Sequence, residues 1–440
     1  MHPGRVARNL VFLARDAVQG FPIKRHLLQL ELPECHPQKH AQLYQAKLDK
    51  LLRHAVNTTP FYKPYAGFQN LSDFPLIGKK ELKEHYDDFF STSYDRKKLV
   101  KTETSGSTGR PFVYYMTKYK INRRMAEVLH YNRQAGYALG MPFAQVRTNV
   151  FSDFYKWMTN SVIIDPTRVN ADWLQEQRDI LINGKIEFLI GWPSVLVQIA
   201  SWCQEHGDKP SDFSLKGIVC SAEPFTPHMR RLFNNVFGVP AYDRYATQEL
   251  GIVANECKKC NAFHINKASH YVELLSMHND NPAAPGEPGR IVVTDLNSFA
   301  MPLIRYEIGD IAISDGPNAN CNCAQTIRNI QGRVNDLIYN PRGENVNWAA
   351  IQDIIEKDSR IADAIVQYQF VQEGVSDYCL NIIPGLAQEL QDITSHKLLE
   401  LLGENANIRF DFVEHIPTLS SGKCPTILNQ YNRRLISTQQ

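Results

Sequence analysis

Two segments of the 440-residue chain hold residue types whose spacing suits chemistry. The first is Thr104-Ser105-Gly106-Ser107-Thr108-Gly109-Arg110-Pro111. Glycines between small hydroxyl residues let backbone amides approach an anion closely, and the hydroxyls add donors, as a bound polyphosphate requires. It is not the G-x-x-x-x-G-K-[ST] loop of the P-loop nucleotidases, because no Lys-Ser/Thr pair ends it. The second segment pairs Cys257-Lys258-Lys259-Cys260-Asn261-Ala262-Phe263-His264 with Cys321-Asn322-Cys323, 60 residues further on. A C-x-x-C and a C-x-C pair can clamp one tetrahedral Zn²⁺, since thiolates at short spacing share a loop. His264 is a fifth candidate ligand, so the shell is either four cysteines or three cysteines and His264. Cys203, Cys220, Cys379 and Cys424 stand alone and read as core residues.

Further short motifs follow in order along the chain: Ser221-Ala222-Glu223-Pro224, Tyr245-Ala246-Thr247-Gln248-Glu249, Arg305-Tyr306-Glu307-Ile308-Gly309-Asp310, Gly332-Arg333-Val334-Asn335-Asp336 and Ser420-Ser421-Gly422-Lys423. Together with Thr104 to Pro111, this set resembles the adenylate-forming superfamily of acyl-CoA ligases, and within it the phenylacetate-CoA ligase and capsule-biosynthesis ligase-like branch. The resemblance runs from about residue 40 to 430. It implies a phosphate loop at Thr104, Ser105, Gly106, Ser107, Thr108 and Gly109. It further implies an adenine-side segment at Ser221 to Pro224, an aromatic-to-glutamate motif ending at Glu249, a ribose motif ending at Asp310, a hinge at residues 333–336 and a mobile lysine at 423.

The chemistry of these side chains agrees with the implied roles. Joining a carboxylate to the α-phosphate of ATP brings two anions together, so cations and amide donors must neutralise the transition state. Lys423, on a Ser/Gly-rich loop, is the candidate cation bridging acyl carboxylate and phosphate. Glu249 offers a hard oxygen to Mg²⁺, Asp310 suits the two ribose hydroxyls, Tyr245 presents a flat face to adenine, and Arg333 can reach ribose or phosphate. The chain also departs from the family pattern. Gln248 stands where Ser or Thr is usual, with Thr247 one place earlier; Glu307-Ile308 replaces Arg-Thr, Asn335 replaces the hinge acid, and Arg110 replaces Lys. Similar paired cysteine clusters occur in some members of that branch, which implies a structural Zn²⁺ tying the glutamate-motif loop to the β-rich layer. For the acyl pocket, Tyr137, Phe143, Phe151, Trp157 and Trp192 lie in the stretch where the family builds it, Trp192 first among them.

Elements must position these groups. Residues 40 to 57 carry apolar positions at helical spacing. From 188 to 245 short strand-like runs alternate with helices at 193–206 and 227–237, which predicts a mainly parallel α/β sheet. After the Pro/Gly-rich loop 281–289, strand-like 290–295 and 302–306 predict a β-rich layer. Beyond 336 the order is helix (347–358), strand (364–371), strand (377–383), helix (387–402) and strand (407–412). The expected fold is therefore α/β: a large N-terminal adenylate-forming body with a β layer, residues 1–332, a hinge at 333–336 and a small α+β C-terminal lid domain, residues 337–440.

The composition is 43% hydrophobic and 21% charged, within the ordinary globular range. With 48 Lys and Arg against 46 Asp and Glu the net charge is +2, too small for a global field that would attract nucleic acid. No apolar run reaches the roughly 18 to 20 residues that span a bilayer. Residues 5 to 25 are basic and partly amphipathic, a pattern shared by a solvated first helix and a helix lying on an anionic membrane surface. Nine cysteines, an odd number with two clusters, fit a cytoplasmic protein with reduced thiols. There is no G-x-S-x-G elbow and no dinucleotide fingerprint. The expected activity is ATP- and Mg²⁺-dependent activation of a carboxylic acid, aryl or otherwise small, to acyl-AMP, followed by transfer to a thiol, with CoA the expected acceptor. The alternatives are transfer to a carrier-protein thiol or an amine, and, in another class, a weakened nucleotide-binding scaffold. Expected partners are the small carboxylate and CoA or a carrier protein, with a homodimer compatible with the chain.

Overall fold

The computed structural model describes residues 3–35, 37–103, 113–148, 152–167, 169–318, 321, 323–333, 337–346, 348–362, 364–383, 386–416 and 424–432. The expected phosphate loop Thr104 to Pro111, the expected hinge residues Asn335 and Asp336, and Lys423 lie outside them, as do the side chains of Cys323 and Arg333. Two compact units form: residues 1–141, 152–160 and 242–330, and residues 142–151, 161–241 and 331–440.

The first unit is built on antiparallel strands. His270–Ser276 pairs with Pro288–Asp295, which pairs with Tyr306–Asn318. Cys323–Arg333 pairs with Phe263–Ile265, and that strand with Gly251–Glu256, which pairs in turn with Ala241–Thr247. The expected strand at 302–306 begins only at Tyr306, because Arg305 adopts φ +49° and breaks the extended run. The amphipathic stretch predicted at 40–57 is the helix Pro37–Thr58, and it buries Leu48, Leu51, Leu52 and Ala55 in the core beneath this sheet.

Three further helices belong to the first unit. Pro3–Val18 and Pro22–Cys35 form a hairpin, closed where the Asp16 carboxylate accepts the amides of Ile23 at 2.9 Å and Lys24 at 3.1 Å. The first of them docks on Gly140, at φ +79°, where an added Cβ would lie 2.7 Å from Asn9 Oδ1 and 3.0 Å from Arg5 Cγ. Lys118–Gln134 is amphipathic and capped by Thr117, whose hydroxyl accepts the Lys120 amide at 3.2 Å.

Burial, aided by the Arg123 guanidinium, holds His26 and His130 in this unit down to about 4. The folded state therefore refuses protons that the unfolded chain takes up below its ordinary value of 6.5. Stability from these two groups is complete above that value and is lost as pH falls toward 4. Each contributes on the order of 2 kcal/mol. The thermal midpoint is expected to fall between pH 7 and pH 5, and His26→Phe, which keeps the edge-to-face packing on Tyr119, should flatten that slope; an unchanged slope would remove His26 from the explanation.

In the second unit Gly217–Ser221, Phe188–Gly191, Phe143–Val146 and Ser161–Ile164 run parallel in that order, as the strand–helix alternation predicts. Helices Ala171–Asn183, Pro193–Glu205 and Pro227–Phe237 cover them around a core of Leu196, Ile199, Ile218 and Phe233. The C-terminal part is the expected α+β set. Its four strands are ordered Asn407–Phe412, Asp377–Ile383, Gln367–Gln372 and Ile427–Asn429, with helices Trp348–Glu356 and Gln388–Leu402 and a core of its own. Among the described residues no helix is long and apolar enough to cross a membrane.

Candidate active site and metal centre

Glu249 lies in the tight connection between strands Ala241–Thr247 and Gly251–Glu256. The Thr247 hydroxyl accepts the Leu250 amide at 3.1 Å, and Gly251 at φ +88° completes the turn, a conformation that suits glycine. The Glu249 side chain is buried, and its Oε1 accepts the Tyr306 hydroxyl at 2.8 Å. Its backbone carbonyl accepts Lys120 Nζ at 2.8 Å. Lys120 is itself buried and ion-paired with Asp295 at 2.5 Å, with the Tyr114 hydroxyl at 2.9 Å. Burial lowers the Lys120 pKa and the Asp295 carboxylate opposes that. The turn carrying Glu249 is thus fixed from below by a buried cation, and the carboxylate is aimed by a tyrosine.

Two other predicted residues meet beside it. The Tyr245 hydroxyl donates to Asp310 Oδ2 at 2.6 Å. Burial first, and the neighbouring Asp310 carboxylate second, push the Tyr245 pKa well up, so the phenol keeps its proton and remains the donor. Glu249 and Tyr306 also act on that phenol, so Tyr245, Glu249, Tyr306 and Asp310 form one cluster. Asp310 follows Gly309, at φ +91°, inside the strand Tyr306–Asn318, where its pairing with Pro288–Asp295 shifts register.

The departures from the family pattern have local explanations. Glu307 is engaged with Arg290 of the neighbouring strand, Nη1 lying 3.1 and 3.2 Å from its two oxygens. Ile308 is in the core. Gln248 is exposed, and its backbone carbonyl accepts Arg124 at 2.8 Å.

In the second unit, Ser221 ends a parallel strand and Ala222 turns at φ +77°, a region rare for residues with a Cβ. This places the Glu223 carboxylate at the first turn of helix Pro193–Glu205, where Oε2 accepts the Ser194 amide at 3.0 Å, a favourable position for an anion. Its other oxygen accepts the backbone amide of Cys424 at 2.8 Å. The residue immediately after Lys423 is therefore tied to the Ser221 to Pro224 segment. The Cys424 thiol accepts from Gln367, and burial pushes it up to about 12, which leaves it inert as a nucleophile. Of the pocket candidates, Trp192 packs against the core beside this helix, and Tyr137 and Phe143 are buried. Phe151 lies outside the described residues. Trp157 is 47% exposed, stacked on Phe154 at the surface.

The cysteine cluster assembles in the first unit. Cys257 and Cys260 form a loop closed by the Cys257 amide on Ala262 O at 2.9 Å, and Asn261 takes the left-handed conformation the turn requires. The ligand atoms of Cys257, Cys260, His264 and Cys321 all lie within 4.8 Å of one another. His264 Nε2 is 3.1 Å from Cys321 Sγ and 3.4 Å from Cys260 Sγ, and those two sulfurs are 3.4 Å apart. A tetrahedral Zn²⁺ with bonds of about 2.0 to 2.3 Å sets its ligands roughly 3.5 Å apart, so the donors fit the ion. Burial holds His264 below its ordinary pKa, in the neutral form that ligates.

Sequence reasoning singled out Tyr245, Glu249, Asp310, Cys257, Cys260, His264 and Cys321, and the fold brings them together in these two clusters. It missed Lys120, Asp295 and Tyr114, which carry no local motif, while Tyr306 lay inside a quoted motif without a role.

The fold is that of the adenylate-forming ligases: the solved structure of 2-hydroxyisobutyryl-CoA ligase in its postadenylation state, in complex with R3-HIB-AMP, aligns with a TM-score of 0.72 at 18% identity, covering 91% of this chain and 92% of that one. The chain is also similar in sequence to two proteins along most of its length. The chain is 26% identical over 372 residues to protein CapK of Staphylococcus aureus, covering 80% of this chain and 79% of that protein. It is 25% identical over 374 residues to the phenylacetate-coenzyme A ligase of Thermus thermophilus, covering 80% and 82%. Residues 338–430 match the model of the CapK C-terminal domain.

Proposed function

We propose that the chain is an AMP-forming acid–thiol ligase. A carboxylate oxygen of a small acid attacks the α-phosphorus of ATP, the bond to the β-phosphate oxygen breaks, and pyrophosphate leaves. A thiolate then attacks the acyl carbon and AMP leaves; CoA is the first acceptor to test, a carrier-protein thiol or an amine the second. The observation that carries this reading is the cluster of Tyr245, Glu249, Tyr306 and Asp310, three of them predicted from two motifs some 60 residues apart and all within bonding or electrostatic reach. Similarity to phenylacetate-CoA ligases along four-fifths of the chain supports the aryl or small-acid class.

Within that reading Glu249 holds the Mg²⁺ that accompanies ATP, Asp310 binds the ribose with Tyr245 steadying its carboxylate, and Thr104 to Gly109 cradle the phosphates. Ser221 to Pro224 flank the adenine. Lys423 neutralises the developing charge, and Arg333 helps position the nucleotide. Residues 337–440 act as a lid on a body of residues 1–332, turning about 333–336; the Glu223 bond to the Cys424 amide is a latch that holds the lysine loop for the first step. Cys257, Cys260, Cys321 and His264 hold a structural Zn²⁺, with Cys323 the alternative fourth ligand.

Carboxylate-dependent exchange of labelled pyrophosphate into ATP, across aryl, fatty and amino acids, tests the activity. One acid class should support exchange, and Lys423→Ala should lower it by about two to three orders of magnitude. ATP binding without exchange on any acid would return the chain to a nucleotide-binding scaffold.

A further inference from the structure

The basic first helix is oriented opposite to what a solvated helix requires. Its polar side faces the protein: Arg5 Nε donates to Leu139 O at 3.2 Å, Arg8 Nε to Trp157 O at 2.9 Å, and Asp16 is buried. Its apolar side faces out, with Val6 41%, Leu10 61% and Leu13 53% exposed at helical spacing along one stripe. Val18, Phe21 and Leu28 are exposed as well, on the end of this helix, the turn and the next helix, and so are Phe154 and Trp157 on the helix Asp153–Thr159 that Arg8 contacts. Nine of the sixteen exposed large hydrophobic residues of the described chain lie on these three helices and the turn at Phe21, so the concentration is local.

Charge selects the occupant. Between Pro3 and Cys35 the chain has five Arg and Lys against three acids; the first 28 residues of that stretch hold all five and, of the acids, only the buried Asp16, while Glu31 and Glu34 lie at the far end of the second helix. Arg15, Lys24 and Arg25 are exposed beside the apolar stripe. A second copy set against this face would oppose two like-charged segments. An anionic lipid surface offers both partners at once, acyl chains for the leucines and headgroups for the cations.

We propose that the helix hairpin Pro3–Cys35 docks the protein in the plane of an anionic bilayer surface, apolar stripe inward, independently of the ligase reading. Flotation of the full chain with vesicles tests it, using phosphatidylcholine alone and phosphatidylcholine mixed with phosphatidylglycerol. Binding is expected only with the anionic lipid, weakening as salt rises, and Leu10→Glu with Leu13→Glu should weaken it about tenfold or more. Both leucines are exposed, so the variant folds; Arg15→Glu with Lys24→Glu removes the charge component separately. Failure of the wild type to float, equal flotation of the variants, or a wild-type dimer that Leu10→Glu with Leu13→Glu converts to monomer would overturn the proposal.

Discussion

Replacing Glu249 by glutamine is expected to leave the protein folded while lowering pyrophosphate exchange by about two to three orders of magnitude. The substitution keeps shape and an oxygen acceptor for the Tyr306 hydroxyl, and it leaves untouched the Lys120 bond to the residue-249 carbonyl that fixes the turn. Only the charge is lost. On the ligase reading the partner of that carboxylate during turnover is the Mg²⁺ that accompanies ATP. The Mg²⁺ concentration for half-maximal exchange should rise with the fall in rate. Tyr306→Phe, which removes the aiming hydroxyl and keeps the charge, should shift the Mg²⁺ dependence more than the maximal rate. Full exchange in the glutamine variant at ordinary Mg²⁺ would remove Glu249 from the metal role.

Much of this arrangement was legible because it is local. The helix predicted at 227–237 is found at Pro227–Phe237, its start marked by Thr226 and Pro227 and its end by Gly238 at φ +67°. The strand predicted at 377–383 is likewise found at Asp377–Ile383. Strand 302–306 failed because a short apolar run, Leu303-Ile304, says nothing of a positive φ at Arg305, where buried contacts with Glu273 and the Phe74 carbonyl hold the side chain. The site divided in the same way. Motif residues announce themselves by type and spacing, whereas Lys120 and Asp295 are 175 positions apart and meet only through the fold. The orientation of the first helix was equally hidden: helical periodicity tells that the helix has an apolar and a basic face, and only the docking of Arg5 and Arg8 on the protein says which one turns outward.

The second large effect is expected from the cysteine cluster. Metal analysis of the purified chain should find one zinc per chain, and prolonged chelation or Cys260→Ser should lower the thermal midpoint by about 5 °C or more. The magnitude follows from what the ion would cross-link: Cys257, Cys260 and His264 belong to one hairpin, while Cys321 lies in the connection to the strand Cys323–Arg333, and its sulfur reaches both His264 and Cys260. Paired single variants then separate the two shells that spacing alone left open. If His264 ligates, as its 3.1 and 3.4 Å approaches to two sulfurs indicate, Cys323→Ser keeps its zinc and His264→Ala loses it. A four-cysteine shell gives the reverse. Because strand Gly251–Glu256 runs from the Glu249 turn directly into Cys257, loss of the ion should also loosen that turn. Activity should fall partly, with Mg²⁺ dependence shifted in the same direction as in Tyr306→Phe. Zinc-free protein with an unchanged midpoint and unchanged Mg²⁺ dependence would reduce the cluster to four neighbouring side chains with no ion to hold.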